Sequence, residues 1–433
     1  MDPFFIGALG LAGLFILILL HVPIGISMAM VGFAGFWGLT GNLSAAASLF
    51  GTEAVSAFSS PELAVIPLFL LMGAFAGSAG LSADVYRFAE AFIGHRRGGL
   101  AMATVAGCGG FGAVCGSSIA TTVTMARIAL PEMEKRNYSP SLGAGAIAAG
   151  GTLGTLIPPS IIMVLYAALT EQFVIKLFVA AIIPGVITIA LYFAAVAVYV
   201  RVRPSAAPPG PKMPWRQRLQ VASQTWGILV IITAVTGGIY GGIFTVTEAA
   251  AVGVGLTLAF AWARGKMRGE SFWQALFETA ANVGMLYLIL IGARIFTYFI
   301  TLTHVPSAFV EAITALNLAP LAVVFLLVAM YIFLGAVFDA VAAMVLTLPF
   351  VFPLIIGMGL DPIWWGVVMV IVIEIGLITP PIGINVFAMH SVRPDIPLPT
   401  IFRGIVPFLG ADIIRLALVI LIPGLALWLP STM

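Results

Sequence analysis

Gly154-Thr155-Leu156-Ile157-Pro158-Pro159-Ser160 is answered, 222 residues further on, by Gly376-Leu377-Ile378-Thr379-Pro380-Pro381-Ile382. The glycine and both prolines match at that offset. Each stretch lies within a long apolar run. Two consecutive prolines remove two amide donors and clash with the preceding helical turn. In lipid, the carbonyls left unpaired are costly unless protein, water or an ion satisfies them. Each stretch therefore predicts a helix broken at mid-membrane and facing the protein interior. Its freed carbonyls can coordinate a cation, and the N-terminus of the next half-helix can hold an anion. A simple kink is the plainer alternative, and a second copy with the same Gly and Thr flanks weighs against it.

Composition supports the membrane setting. Of 433 residues, 61% are hydrophobic and 8% charged, whereas soluble domains run near half apolar and about 25% charged. Lys and Arg number 19 against 17 Asp and Glu, for a formal net charge of +2. That balance gives neither a basic field for nucleic acid nor an acidic tail. Soluble enzymes, disordered chains and DNA-binding modules are excluded. An all-α integral membrane protein with many spans remains. The run from Phe4 to Leu20 lacks a preceding basic residue and a following small-residue cleavage site, so it reads as a retained span. Cys108 and Cys115 imply neither a disulfide framework nor a zinc site, and the four His residues show no metal-ligand spacing.

Other pairs share the 222-residue offset: Ile162 with Ile384, Val164 with Val386, Pro131 with Pro353, Ala29 with Ala251. A constant offset over distant segments argues for duplication. Its joint is Arg201 to Arg218, which holds Arg201, Arg203, Lys212, Arg216 and Arg218, no acid, and five prolines. This reads as an extended linker, cytoplasmic by the positive-inside rule. His95-Arg96-Arg97, the run Arg127 to Arg136, and Arg264, Lys266 and Arg268 read as cytoplasmic too. Glu53 and Glu62 mark an outside loop. The expected organisation is a first repeat over 1–200, a linker over 201–220 and a second repeat over 221–433. Each repeat holds about five spans and one re-entrant hairpin, and an odd number of crossings inverts the second repeat. The hairpins fall near 100–130 and 320–357, the broken helices near 140–170 and 363–391.

Gly107 to Thr122 reads Gly-Cys-Gly-Gly-Phe-Gly-Ala-Val-Cys-Gly-Ser-Ser-Ile-Ala-Thr-Thr. It is too Gly-rich for a stable lipid-facing helix and suits a hairpin tip with hydroxyl oxygens for a hard cation. Small-residue helix packing is the alternative. Gly335 to Asp339 is the second tip, and a carboxylate in an apolar run is functional by default unless it merely caps a helix. Glu248 serves a helix N-terminus, Arg294 and Glu374 pair or line a cavity or, for Arg294, snorkel to an interface, and Asp412 with Arg415 form a local ion pair. No P-loop, His-Glu-x-x-His or Gly-x-Ser-x-Gly motif is present. Uphill transport would draw on an ion gradient.

Cys-Gly-Ser-Ser-Ile-Ala-Thr-Thr (115–122), Gly-Thr-Leu-Ile-Pro-Pro-Ser (154–160), Gly-Leu-Ile-Thr-Pro-Pro-Ile-Gly-Ile-Asn-Val-Phe (376–387) and Thr247-Glu248-Ala249-Ala250 together resemble the large membrane subunit of a tripartite ATP-independent periplasmic (TRAP) transporter. The resemblance covers essentially the whole chain. It implies a sodium-driven importer of organic anions such as C4-dicarboxylates or sialic acid, placed in a bacterial or archaeal cytoplasmic membrane. It implies an elevator mechanism, a separate small four-helix membrane subunit and a periplasmic substrate-binding protein. No cofactor is implied beyond sodium as the coupling ion. The implied sodium positions are Gly116, Ser117, Ser118, Gly154 and Thr155 in the first half. In the second half they are Gly335 through Asp339, Gly376 and Thr379. For the substrate cavity, Asn385 is the foremost polar candidate, with Thr121, Pro158 and Pro380. The runner-up is a stand-alone ion-coupled carboxylate transporter of the same architecture. An intramembrane enzyme using Asp339, Glu374 or Asp412 is the least favoured reading, because no nucleophile–base pair accompanies them.

Overall fold

A computed structural model of the chain describes residues 2–267 and 269–433. Arg268 of the third basic cluster lies outside the described residues. Among the described residues there are helices and no strands. Helices α1 (Pro3–Leu19), α2 (Ile24–Thr40), α3 (Leu43–Ser59), α4 (Val65–Ser78) and α5 (Leu81–Ile93) lead to a hairpin, α6 (Gly99–Cys115) and α7 (Ser118–Lys135). A broken helix follows, α8 (Pro140–Leu156) and α9 (Ile161–Thr170), then the long α10 (Val174–Val202). Helices α11 (Trp215–Gln224), α12 (Trp226–Ile232), α13 (Gly238–Tyr240), α14 (Val246–Ala263), α15 (Glu270–Leu302) and α16 (Val305–Ala315) lead to the second hairpin, α17 (Pro320–Val337) and α18 (Ala340–Gly357). The second broken helix is α19 (Pro362–Ile378) and α20 (Ile384–Val392), before α21 (Leu398–Leu421) and the short α22 (Gly424–Leu427). Seven helices among the described residues are long and apolar enough to cross a membrane, or up to nine if each of two bent pairs forms one span.

The bounds of α7 shifted by 222 are those of α18, and the bounds of α8 shifted by 222 are those of α19. Pro158–Pro159 and Pro380–Pro381 are both cis. Helices α8 and α19 form the centre. Every residue of α8 from Leu142 and of α19 from Ile363 is buried, as befits helices apolar on all sides. The α6–α7 hairpin packs on α8 and the α17–α18 hairpin on α19. On another side α15 lies along α2, where small residues bring the backbones together: a Cβ on Gly32 would sit 2.7 Å from the Phe296 nitrogen.

Three sequence expectations are corrected. Gly107 to Cys115 is helical, and the turn is confined to Gly116 and Ser117. Its glycines allow close packing on all sides, Gly112 against the Gly154 backbone of α8 and Gly107 and Gly110 against α5, which overrides their poor helix propensity. The Arg201–Arg218 segment is extended only in part. Arg201 lies in the last turn of α10, residues 204–206 form a 3-10 turn, and α11 starts directly after Pro214. Proline suits the position before a helix, and Arg218 gains the Phe92 ring at 6.0 Å. Glu53 is not in a loop. It is buried on α3, with Arg294 of α15 at 3.5 Å, a paired charge within apolar surroundings.

Candidate functional site

Each hairpin tip rests against a helix break. In the first half, Gly116 takes a left-handed backbone (φ +65°), and a Cβ there would meet the Pro159 carbonyl oxygen at 2.9 Å. Glycine is needed for both reasons. A Cβ on Gly154 would lie 2.7 Å from Thr121 Oγ1 and 2.8 Å from the Ser117 carbonyl oxygen. Gly116, Ser117, Thr121, Gly154 and the buried break at Pro158–Pro159 are thus brought together. The Ser117 hydroxyl accepts from the Ala120 amide at 3.4 Å and caps α7. Thr121 and Thr122 hydroxyls are buried with no hydrogen-bond partner among the described residues.

In the second half, a Cβ on Gly376 would meet the Gly335 Cα at 2.6 Å. The Ile382 amide donates to the Ala336 carbonyl at 3.2 Å, so the hairpin tip satisfies a donor at the break. Asp339 caps α18, accepting from the amides of Val341 at 2.9 Å and Ala342 at 3.0 Å. Its capping role accounts for its presence in an apolar run. The Thr379 hydroxyl donates to the Ile375 carbonyl at 2.6 Å. Pro380 through Ile382 are exposed, whereas Pro158 and Pro159 are buried, so the two breaks differ in access.

Buried side-chain contacts join the halves near the breaks. The Ser118 hydroxyl donates to Asn385 Oδ1 at 2.8 Å, and Asn385 Nδ2 donates to the Ala148 carbonyl at 3.2 Å. Asn385 is fully buried. The Thr155 hydroxyl lies 2.8 Å from Glu374 Oε1. Glu374 in turn pairs with Arg415 at 3.2 Å, and Arg415 with Asp412 at 2.9 Å. The Tyr192 hydroxyl donates to Asp412, and Arg415 Nη1 donates to the Thr188 hydroxyl at 2.9 Å. Burial of all these groups demands such mutual pairing. Asp412 and Arg415 were legible as an i, i+3 pair. Their link to Glu374, Tyr192 and Thr188 was not, since it joins α10, α19 and α21.

A cavity of about 600 Å³ opens on the outer side of α7, between it and helices α4, α5 and α15. Ser117, Thr124, Arg127, Glu278 and Asn282 line it. Arg127 is exposed in it and forms no ion pair among the described residues. The Glu278 carboxylate accepts from Gln274 at 2.9 Å. Sequence reading counted Arg127 only as a topology marker. Its helical spacing from Ser117 and Thr124 was the available signal for a shared face.

The sequence profile of the family described as "Tripartite ATP-independent periplasmic transporter, DctM component" matches residues 11–425. A "C4-dicarboxylate TRAP transporter large permease protein DctM" of Pseudomonas aeruginosa is 38% identical over 87% of this chain and 89% of its own length. A protein of the same description from Vibrio cholerae is 33% identical over 98% of both chains. In fold, the chain is similar to the YdaH transporter of Alcanivorax borkumensis, with a TM-score of 0.62 at 14% identity over 90% of each chain. The profile and the relatives describe transporter permease subunits, not enzymes. This multi-pass membrane chain belongs to the DctM component family of the tripartite ATP-independent periplasmic transporters.

Proposed function

We propose that the chain is the transport subunit of a sodium-coupled importer of a small organic anion, with a C4-dicarboxylate as the first substrate to test. Both relatives described above are named for C4-dicarboxylates. The observation that carries the reading is the double tip-on-break arrangement, in which Gly116 abuts the Pro159 carbonyl and Gly376 abuts Gly335. Such openings supply carbonyl and hydroxyl oxygens for a hard cation and half-helix N-termini for an anion. The unpartnered Thr121 and Thr122 hydroxyls favour a cation near the first tip. The unpaired Arg127 in the adjoining cavity favours an anionic substrate.

The equal bounds of α7 and α18, and of α8 and α19, at one offset favour two repeats. In this reading each repeat makes an odd number of crossings, which inverts the second, and the basic linker lies in the cytoplasm by the positive-inside rule. In this reading the hairpins and broken helices move together as an elevator in the inner membrane. A small four-helix membrane subunit and a periplasmic binding protein complete the importer. The test is uptake of labelled succinate by proteoliposomes containing this chain with and without those two proteins. Uptake that needs all three supports the reading. Full uptake by this chain alone supports a stand-alone transporter instead.

A further inference from the structure

We infer that the groove between α10 and α21 is a binding site for an anionic glycerophospholipid, held by Arg203 and Arg403. The groove is about 690 Å³ and is lined along α10 from Leu191 to Arg203 and along α21 from Arg403 to Ile414. Its walls are apolar apart from one end, where Tyr199, Arg203 and Arg403 stand. No carboxylate lines it. Small residues hollow it out: Ala194 and Ala195 on α10, Gly410 and Ala411 on α21. A Cβ on Gly410 would meet nothing within 4 Å.

The two guanidinium groups are available. Arg403 is exposed and has no hydrogen bond or ion pair among the described residues. The Arg203 guanidinium lies over the Tyr199 ring at 5.6 Å and has no ion pair among the described residues. Glu134 borders a neighbouring recess with Arg203, but its carboxylate is taken by Arg393 at 2.6 Å.

The dimensions choose the occupant. The stretch from residue 191 to 203 on a helix rises about 18 Å. One leaflet of the hydrocarbon core is about 15 Å deep. The apolar length therefore fits one acyl chain of the leaflet on the linker's side, with both arginines at headgroup depth. A tyrosine beside them suits the same interface. A basic recess between spans selects an anionic headgroup. A free phosphate would use the two cations and leave the apolar walls without a role.

The test is native mass spectrometry of the full-length chain released from micelles holding equal dioleoylphosphatidylglycerol and dioleoylphosphatidylcholine. The wild type should retain phosphatidylglycerol about tenfold over phosphatidylcholine. The R203Q/R403Q variant should retain the two lipids equally. G410W, which fills the groove and keeps both cations, should lose the retained lipid. R403Q alone replaces an exposed, unpaired side chain and keeps the test decisive if the double variant does not fold: its preference should fall severalfold. Equal retention by the wild type would overturn the proposal. So would an unchanged preference in R403Q, unchanged retention in G410W, or displacement of the lipid by millimolar inorganic phosphate.

Discussion

The Ser118 hydroxyl, at the tip of the first hairpin, donates to Asn385 Oδ1 of the second broken helix at 2.8 Å, although 267 residues separate them. Both side chains are buried. The contact ties the first hairpin to α20, and Asn385 reaches on to the Ala148 carbonyl of α8. Asn385→Ala leaves the buried Ser118 hydroxyl without its partner, at about 1–3 kcal/mol, while the Ala148 carbonyl keeps its bond within α8. It should lower the melting temperature in detergent and raise the sodium concentration needed for half-maximal uptake. An unchanged sodium titration would separate this contact from the ion site.

Gly154 and Gly376 are positions where a side chain has no room. Gly154→Val drives a Cβ into Thr121 and the Ser117 carbonyl, and Gly376→Val drives one into the Gly335 backbone. Each should abolish uptake and lower thermal stability. Gly255→Ala is the control, because a Cβ there meets nothing within 4 Å. Wild-type uptake by either valine variant would show that the hairpins need no close seat on the broken helices.

Arg415 holds Glu374 and Asp412 in a buried network spanning α19 and α21. Arg415→Met strands two buried carboxylates, a loss of about 3–5 kcal/mol. Little folded protein should be recovered. Glu374→Gln keeps hydrogen-bonding capacity toward Thr155 and Arg415 and should fold. Size-exclusion profiles of the two variants decide this, and a normal profile for Arg415→Met would refute the role of the network.

Arg127 lines the cavity beside Ser117 without an ion-pair partner. If it attracts the substrate anion, Arg127→Gln should raise KM severalfold with little change in maximal rate, and Arg127→Lys should restore it. The difference between Arg127→Gln and wild type should shrink at high ionic strength. A lowered maximal rate at constant KM would place Arg127 in the moving parts instead.

The linker orientation is open to chemical labelling. Cys108 and Cys115 are buried, so a single new cysteine at exposed Ser205 gives a clean signal. Ser205→Cys should react with an impermeant maleimide only when the cytoplasmic face is open. Reaction from the periplasmic face of intact cells would reverse the proposed topology.

Much of the architecture was legible because backbone chemistry is written in residue types. Paired prolines marked both breaks, and the Gly-Ser-Ser stretch marked the first tip to within a few residues. Asp339 was found because a carboxylate stands out in an apolar run, though that signal does not separate a cap from a ligand. What sequence did not disclose was contact between distant segments. Ser118 with Asn385 depends on how α7 packs on α20, and Thr155 with Glu374 on how α8 packs beside α19. Arg127 shares a helical face with Ser117 and Thr124, but that spacing is common to a cavity wall and a solvated helix end. The helicity of Gly107 to Cys115 goes with close packing against α5 and α8, which local propensity does not contain.

Sodium coupling is the central claim, and ion replacement tests it most directly. Proteoliposomes containing this chain, the small membrane subunit and the binding protein are loaded with sodium-free buffer and given labelled succinate. With sodium outside, succinate should accumulate above its external concentration, and with choline replacing sodium, uptake should fall to the level of empty liposomes. Equal accumulation in sodium and choline would contradict the account.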